Sequence, residues 1–223
     1  MKINKKFGVI SLIKRKQVLC FGDSITWGFN PLNQERMNEE ERWTGILAHG
    51  LGDEYAVIEE GLNGRTTVWD DPVNGPEKNG LKYLIPCLAS HKPLDLVVLM
   101  LGTNDMKQRF SLSTTEIARG INVLVDVIKK SESGVNGFEP ELLLISPPYL
   151  LDETGFDDEF RNSYNKSQKL AGYLKKIADE QDCHFLDSSK IMVASELDGV
   201  HPDVLEHKKL GTALVKKVIS IIG

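Results

Sequence analysis

Ser24 follows the apolar run Val18-Leu19-Cys20-Phe21 and the pair Gly22-Asp23. Two readings are open for it. Asp23 or Ser24 can cap a helix starting near Ile25, because short polar side chains accept from free first-turn N–H groups. The same tight turn can instead lift the Ser24 hydroxyl to the top of a sheet. There it would face backbone N–H groups and the positive end of a helix dipole. A serine hydroxyl attacks a carbonyl only when a neighbouring base takes its proton.

Five histidines are available, at 49, 91, 184, 201 and 207. His49 falls in a helical stretch, His91 before Lys-Pro in a segment read as loop, and His184 in a strand. His207 lies in the last helix beside Lys208-Lys209 and reads as a surface residue. His201 differs, because it sits in "ELDGVHPD" with Asp198 three residues earlier. A turn brings such residues within about 7 Å. Asp198 can then orient the imidazole and stabilise its charged form.

Attack on a carbonyl also needs donors for the developing oxyanion. Gly64 offers a backbone N–H with no side chain to obstruct approach. Asn104 offers a side-chain amide. Each has an ordinary structural explanation as well, as a turn glycine or an Asx turn.

The elements that must position these groups are legible as alternating patterns. Apolar runs at 18–21, 56–58, 96–101, 142–145 and 184–186 are continuous, as in strands buried on both faces. Helical stripes separate them, at Ile117, Ile121, Leu124 and Ile128, at Tyr164, Ala171, Leu174 and Ala178, and at Leu210, Leu214, Val218 and Ile221. This alternation predicts right-handed βαβ units and a three-layer α/β/α fold of flavodoxin-like type, with a central parallel sheet of about five strands. Ligands of such sheets bind beyond the carboxyl ends of the strands. Ser24, Gly64, Asn104 and the 198–201 turn all follow strands, so the fold predicts that they meet at one rim.

The 223 residues, 41% of them hydrophobic, suit one domain over 17–223 behind a basic extension at 1–16. A net charge of −5 provides no general attraction for nucleic acid. Neither a G-x-G-x-x-G after the first strand nor a phosphate-binding G-x-x-x-x-G-K-[ST] is present. G-x-S-x-G is also missing around Ser24, which argues against the classical α/β-hydrolases. No apolar run reaches membrane-spanning length. The odd trio Cys20, Cys87 and Cys183 suggests free thiols in a reducing compartment, and so a cytoplasmic protein.

G-D-S at 22–24, Gly64 in the second loop, G-x-N-D at 102–105 and D-x-x-H at 198–201 together resemble the SGNH, or GDSL-type, hydrolase family. These blocks occur in order and span residues 20–201. "FGDSITWG", "RWTGIL", "VIEEGLNGRTT", "KPLDLVVLMLGTND" and "DGVHPD" are similar more narrowly to its arylesterase and acyltransferase branch, which includes perhydrolytic enzymes. The resemblance implies Ser24 as nucleophile and His201 as base, oriented by Asp198. It implies an oxyanion hole made by the N–H groups of Ser24 and Gly64 and by the Asn104 side chain. Asp23, Trp27, Asn63 and Trp69 become pocket candidates, with a core position as the alternative for Trp27. Asn63-Gly64 stands where the perhydrolytic relatives lead one to expect Ser-Ala.

The implied activity is hydrolysis of small short-acyl aryl or acetyl esters through an acyl-enzyme, with acyl transfer or perhydrolysis possible in place of hydrolysis. It calls for no metal or organic cofactor. Sugar deacetylation and lysophospholipid hydrolysis are alternatives within the family, and a non-catalytic ligand-binding α/β module is the alternative outside it. The branch also implies a homo-oligomer.

Overall fold

In the computed structural model, which describes residues 15–156 and 158–223, five parallel strands form one sheet in the order β2-β1-β3-β4-β5. The strands are β1 (Lys16–Gly22), β2 (Tyr55–Gly61), β3 (Leu96–Met100), β4 (Glu141–Ser146) and β5 (His184–Asp187). Each expected strand is present; β1, β2, β4 and β5 run a residue or more beyond their apolar runs, whereas β3 stops at Met100, one residue short of the run at 96–101. The basic extension expected at the N-terminus lies, over residues 1–14, outside the described residues.

Among the described residues, six α-helices accompany the sheet: α1 (Ser24–Trp27), α2 (Trp43–Leu51), α3 (Gly80–His91), α4 (Thr114–Lys129), α5 (Tyr164–Glu180) and α6 (Val204–Ile222). Successive strand side chains point to opposite faces, so the apolar runs feed two cores. Leu19, Phe21, Val97, Leu99, Leu142 and Leu144 pack with α3, α4 and α5. Val18, Cys20, Leu96, Val98, Leu143 and Ile145 pack with α2 and α6. All five residues of the central β3 are buried, which explains why its sequence does not alternate.

Helix ends follow local chemistry. Ser113 Oγ accepts from the Glu116 N–H at 3.2 Å, and Glu116 Oε2 accepts from the Ser113 N–H at 2.8 Å, a reciprocal cap that starts α4. Asp203 caps α6 by accepting from the Glu206 N–H at 3.0 Å.

Two sequence expectations are corrected. His91 closes α3 rather than lying in a loop. The helix is hidden in the sequence by Pro86, a residue that normally interrupts helical interiors. His207 is fully buried rather than exposed. It shares a helix face with the buried Leu210, Gly211 and Leu214, three, four and seven positions on. Its Nδ1 accepts from the Trp43 N–H at 3.2 Å. Burial, reinforced by the charge of His201, pushes the His207 imidazole down to about 3, so it stays neutral.

Candidate active site

The turn after β1 is set by close packing. A Cβ at Gly22 would lie 2.7 Å from the Met100 carbonyl oxygen, so no larger residue fits. Asp23, not Ser24, is the helix cap: its Oδ1 accepts from the Ile25 N–H at 3.0 Å. Ser24 is thereby the first helical residue, with its hydroxyl free for other work.

That hydroxyl meets His201. Ser24 Oγ lies 2.8 Å from His201 Nε2, and His201 Nδ1 lies 2.7 Å from Asp198 Oδ2. Asp198 Oδ1 accepts from the backbone N–H groups of Val200, at 2.9 Å, and His201, at 2.8 Å. The carboxylate therefore builds the 198–201 turn with one oxygen and orients the imidazole with the other. Burial alone would raise the Asp198 pKa. The bond and charge of His201, with the two backbone donors, outweigh it and hold the carboxyl below its ordinary value. Phe29 packs on the imidazole with ring centroids 4.3 Å apart, and Phe156 meets it edge-on at 5.8 Å. These contacts restrict the ring to the plane that joins Asp198 to Ser24.

The second and third loops close on the same point. After β2, the Leu62 N–H donates to the Gly22 carbonyl at 3.2 Å, which ties this loop to the serine turn. Gly64 has φ +79°, the left-handed region that glycine adopts without penalty. The Asn104 amide donates to the Arg65 carbonyl at 3.1 Å, which leaves its second N–H available. Among the described residues, no protein backbone acceptor is bonded to the N–H of Ser24 or Gly64. Asp105 fastens the loops together, since its carboxylate accepts from the Thr67 N–H at 3.0 Å and the Thr67 hydroxyl at 2.5 Å. Burial pushes Asp105, and likewise Asp23, up to about 6.

A cavity of about 480 Å³ opens over these groups. Ser24, Asn63, Gly64, Asn104 and His201 line it. Asp23, Trp27 and Trp69, expected at the pocket, are not among these lining residues. Asp23 is turned inward as the cap. Trp27 lies under the Arg36 guanidinium, 5.6 Å from its ring centroid, and Trp69 is 37% exposed. A groove of about 540 Å³ between α3 and α4 is larger, but Ser24, His201 and Asn104 are not in its walls.

The apolar wall is formed by Phe29, Phe156 and Phe160, and the polar rim by Asn74, Lys78, Lys107 and Glu159. Lys107 is only 7% exposed and pairs with Glu159 at 3.4 Å. Arg109 in turn bonds Glu159 at 2.9 Å and Asp71 at 3.2 Å. None of these wall and rim residues is marked by periodicity or motif. The Phe156/Phe160 spacing is the one local hint, and it lies in a segment without a helical stripe.

The arrangement can move a proton from Ser24 Oγ to His201 Nε2 beside a cavity that Gly64 and Asn104 also line. Comparison with known proteins agrees with this chemistry. The profile of the GDSL-like lipase/acylhydrolase family matches residues 20–208. An inhibitor-bound aryl esterase from M. smegmatis superposes with a TM-score of 0.88 at 40% identity, covering 92% of this chain and 99% of that one. A carbohydrate acetylesterase from Sinorhizobium meliloti gives the same four values. A lipase/acylhydrolase from Enterococcus faecalis, at 18% identity and TM-score 0.68 over 93% of this chain and 97% of that one, shares the fold. A search of curated protein sequences found no match. The chain therefore belongs to the GDSL-like lipase/acylhydrolase family and is a carboxylic-ester hydrolase.

Proposed function

We propose that the enzyme cleaves small esters with short acyl groups through an acyl-enzyme on Ser24. The observation that carries this reading is the continuous relay from Asp198 through His201 to Ser24, at 2.7 and 2.8 Å, beside a cavity of modest volume. His201 Nε2 takes the hydroxyl proton as Ser24 Oγ bonds to the ester carbonyl carbon. The carbonyl electron pair moves to oxygen, where the N–H groups of Ser24 and Gly64 and the Asn104 amide receive it. The carbon–oxygen bond to the alcohol then breaks, and His201 returns its proton to the departing oxygen. Water repeats the sequence and releases the acid. An alcohol or hydrogen peroxide in place of water gives acyl transfer or perhydrolysis.

Aryl esters suit the Phe29, Phe156 and Phe160 wall. Deacetylation of carbohydrates is the second reading. It is favoured by the polar rim at Asn63, Asn74 and Lys78 and by the likeness to the S. meliloti carbohydrate acetylesterase. Turnover of p-nitrophenyl acetate, p-nitrophenyl octanoate, an acetylated xylose and a lysophospholipid by wild type and Ser24→Ala tests both. The expected result is highest kcat/KM on the aryl acetate and loss of at least 10³-fold in Ser24→Ala. Preference for the lysolipid, or activity surviving in Ser24→Ala, refutes the proposal.

The same reading includes self-association, supported by the exposed apolar residues Leu32, Trp69 and Val73. Light scattering that gives a monomer mass at micromolar concentration refutes it. A reducing, cytoplasmic setting is supported by Cys20, Cys87 and Cys183, none of which is in a disulfide. Among the described residues no helix is long and apolar enough to cross a membrane.

A further inference from the structure

Glu60, Cys87 and His91 lie apart from the catalytic relay, yet each presents one ligand-type atom within 4.8 Å of the other two. Cys87 and His91 are four residues apart on α3, so both side chains occupy one helix face. Glu60 reaches them from the end of β2, its Oε1 2.9 Å from His91 Nε2. Its other oxygen accepts from the Tyr83 hydroxyl at 3.0 Å, which fixes the carboxylate orientation. Cys87 is 2% exposed, while the His91 side chain is 31% exposed, so solvent reaches the cluster from the histidine side.

We propose that Glu60, Cys87 and His91 bind a borderline-soft divalent cation of the zinc class. The donor set selects the ion. Thiolate, imidazole and carboxylate together suit zinc, whereas magnesium and calcium demand oxygen ligands. Tetrahedral zinc, with bonds of about 2.0–2.3 Å, sets its donor atoms roughly 3.3–3.6 Å apart. To reach that spacing the Glu60–His91 pair, now at 2.9 Å, opens by a few tenths of an ångström, and the three donor atoms, now within 4.8 Å of one another, draw together around the ion. Three protein donors leave a fourth position for water.

Binding displaces protons in a balanced way. The Cys87 thiol gives its proton to solvent, and the His91 proton shifts to Nδ1 so that Nε2 can ligate. Burial, then the charge of Glu60, pushes the empty-site thiol up to about 12. A cation at the centre offsets both by its direct attraction for the thiolate, and the Arg65 guanidinium nearby also favours the thiolate. One carboxylate and one thiolate neutralise the ion. The cluster is also wired to the active site. The Glu60 carbonyl accepts from the Arg65 guanidinium, which bonds the Gly22 carbonyl at 2.8 Å, and the Arg65 carbonyl accepts from Asn104.

The test uses the full chain, freed of metal with a chelator. Zinc chloride is titrated in competition with a chromophoric chelator, and cobalt chloride is added separately to record its spectrum. The expected result is one zinc equivalent in the micromolar range or tighter. It weakens at least tenfold in both Cys87→Ser and His91→Gln, and magnesium or calcium chloride does not bind. Cobalt should show thiolate charge-transfer absorption in wild type and lose it in Cys87→Ser. Equal zinc affinity in wild type and both variants overturns the site, as does a cobalt band that survives Cys87→Ser but disappears in Cys183→Ser. If Cys87→Ser does not fold, His91→Gln, at the more exposed edge, decides the matter. Circular dichroism and thermal unfolding of the metal-free variants report their folding separately, so failure of the metal site leaves the Ser24 reading intact.

Discussion

Asp198→Asn separates the two tasks that the carboxylate performs. Its Oδ1 accepts two backbone N–H groups at 2.9 and 2.8 Å, so only the carbonyl oxygen of an asparagine can occupy that side. The amide NH₂ is then forced toward His201 Nδ1, where Oδ2 now lies at 2.7 Å. An NH₂ donor there makes Nδ1 the acceptor, which moves the ring proton to Nε2. His201 then donates toward Ser24 and cannot take its proton. The expected loss is about 10³–10⁴-fold in kcat, or about 4–5.5 kcal/mol of transition-state stabilisation. Stability should change little, because the turn keeps both acceptor contacts. Exchanging a charged for a neutral acceptor costs about 1 kcal/mol, a few degrees in Tm for a domain of this size. Asp198→Ala is the contrasting variant, since it leaves two buried N–H groups unpaired at about 1–3 kcal/mol each. Steady-state kinetics on p-nitrophenyl acetate and thermal unfolding of both variants provide the assay. If Asp198→Asn stays within tenfold of wild type, or unfolds as early as Asp198→Ala, the tautomer argument is wrong.

Two further outcomes follow from the same geometry. Asn104→Ala should lower kcat by about 10²–10³-fold with little change in KM, because the amide donor matters most when negative charge develops; a loss below tenfold removes Asn104 from the oxyanion hole. Asp23→Asn should alter how stability responds to pH. The Asp23 carboxyl is held at about 6 in the fold and near 3.9 when unfolded, so the fold favours its protonated form. That contribution is complete below about pH 4 and lost as pH rises to about 6, so wild type should lose about 3 kcal/mol relative to Asp23→Asn across this window. The variant keeps the oxygen that caps the Ile25 N–H, and urea denaturation at pH 4 and pH 7 should show the gap; a difference that does not vary with pH contradicts the buried-carboxyl account.

Much of the molecule is written locally. The runs at 18–21, 96–101 and 142–145 are apolar without alternation because both faces of the sheet are covered, and that property is readable without coordinates. The groups that meet at the cavity are legible for a related reason. Gly22, Gly64 and the 198–201 turn each need a particular residue type to form their own backbone, and parallel βαβ topology directs the following loops to one edge. The Asp198–His201 pairing is local as well, since the aspartate that orients the ring also builds the turn that carries it.

What lies outside local pattern required the tertiary structure. Trp27 follows the nucleophile closely in sequence, but the short helix turns it away from the cavity and under Arg36. His207 sits beside two lysines, yet its helix faces Trp43, and burial keeps it neutral. Phe29, Phe156, Phe160 and Lys107 form the cavity wall from segments with neither period nor motif, because their positions are set by packing against distant elements. The residue types that make the reaction possible were thus determined by sequence alone. The shape of the space above Ser24 was decided by side chains brought together across more than a hundred residues, where no local rule reaches.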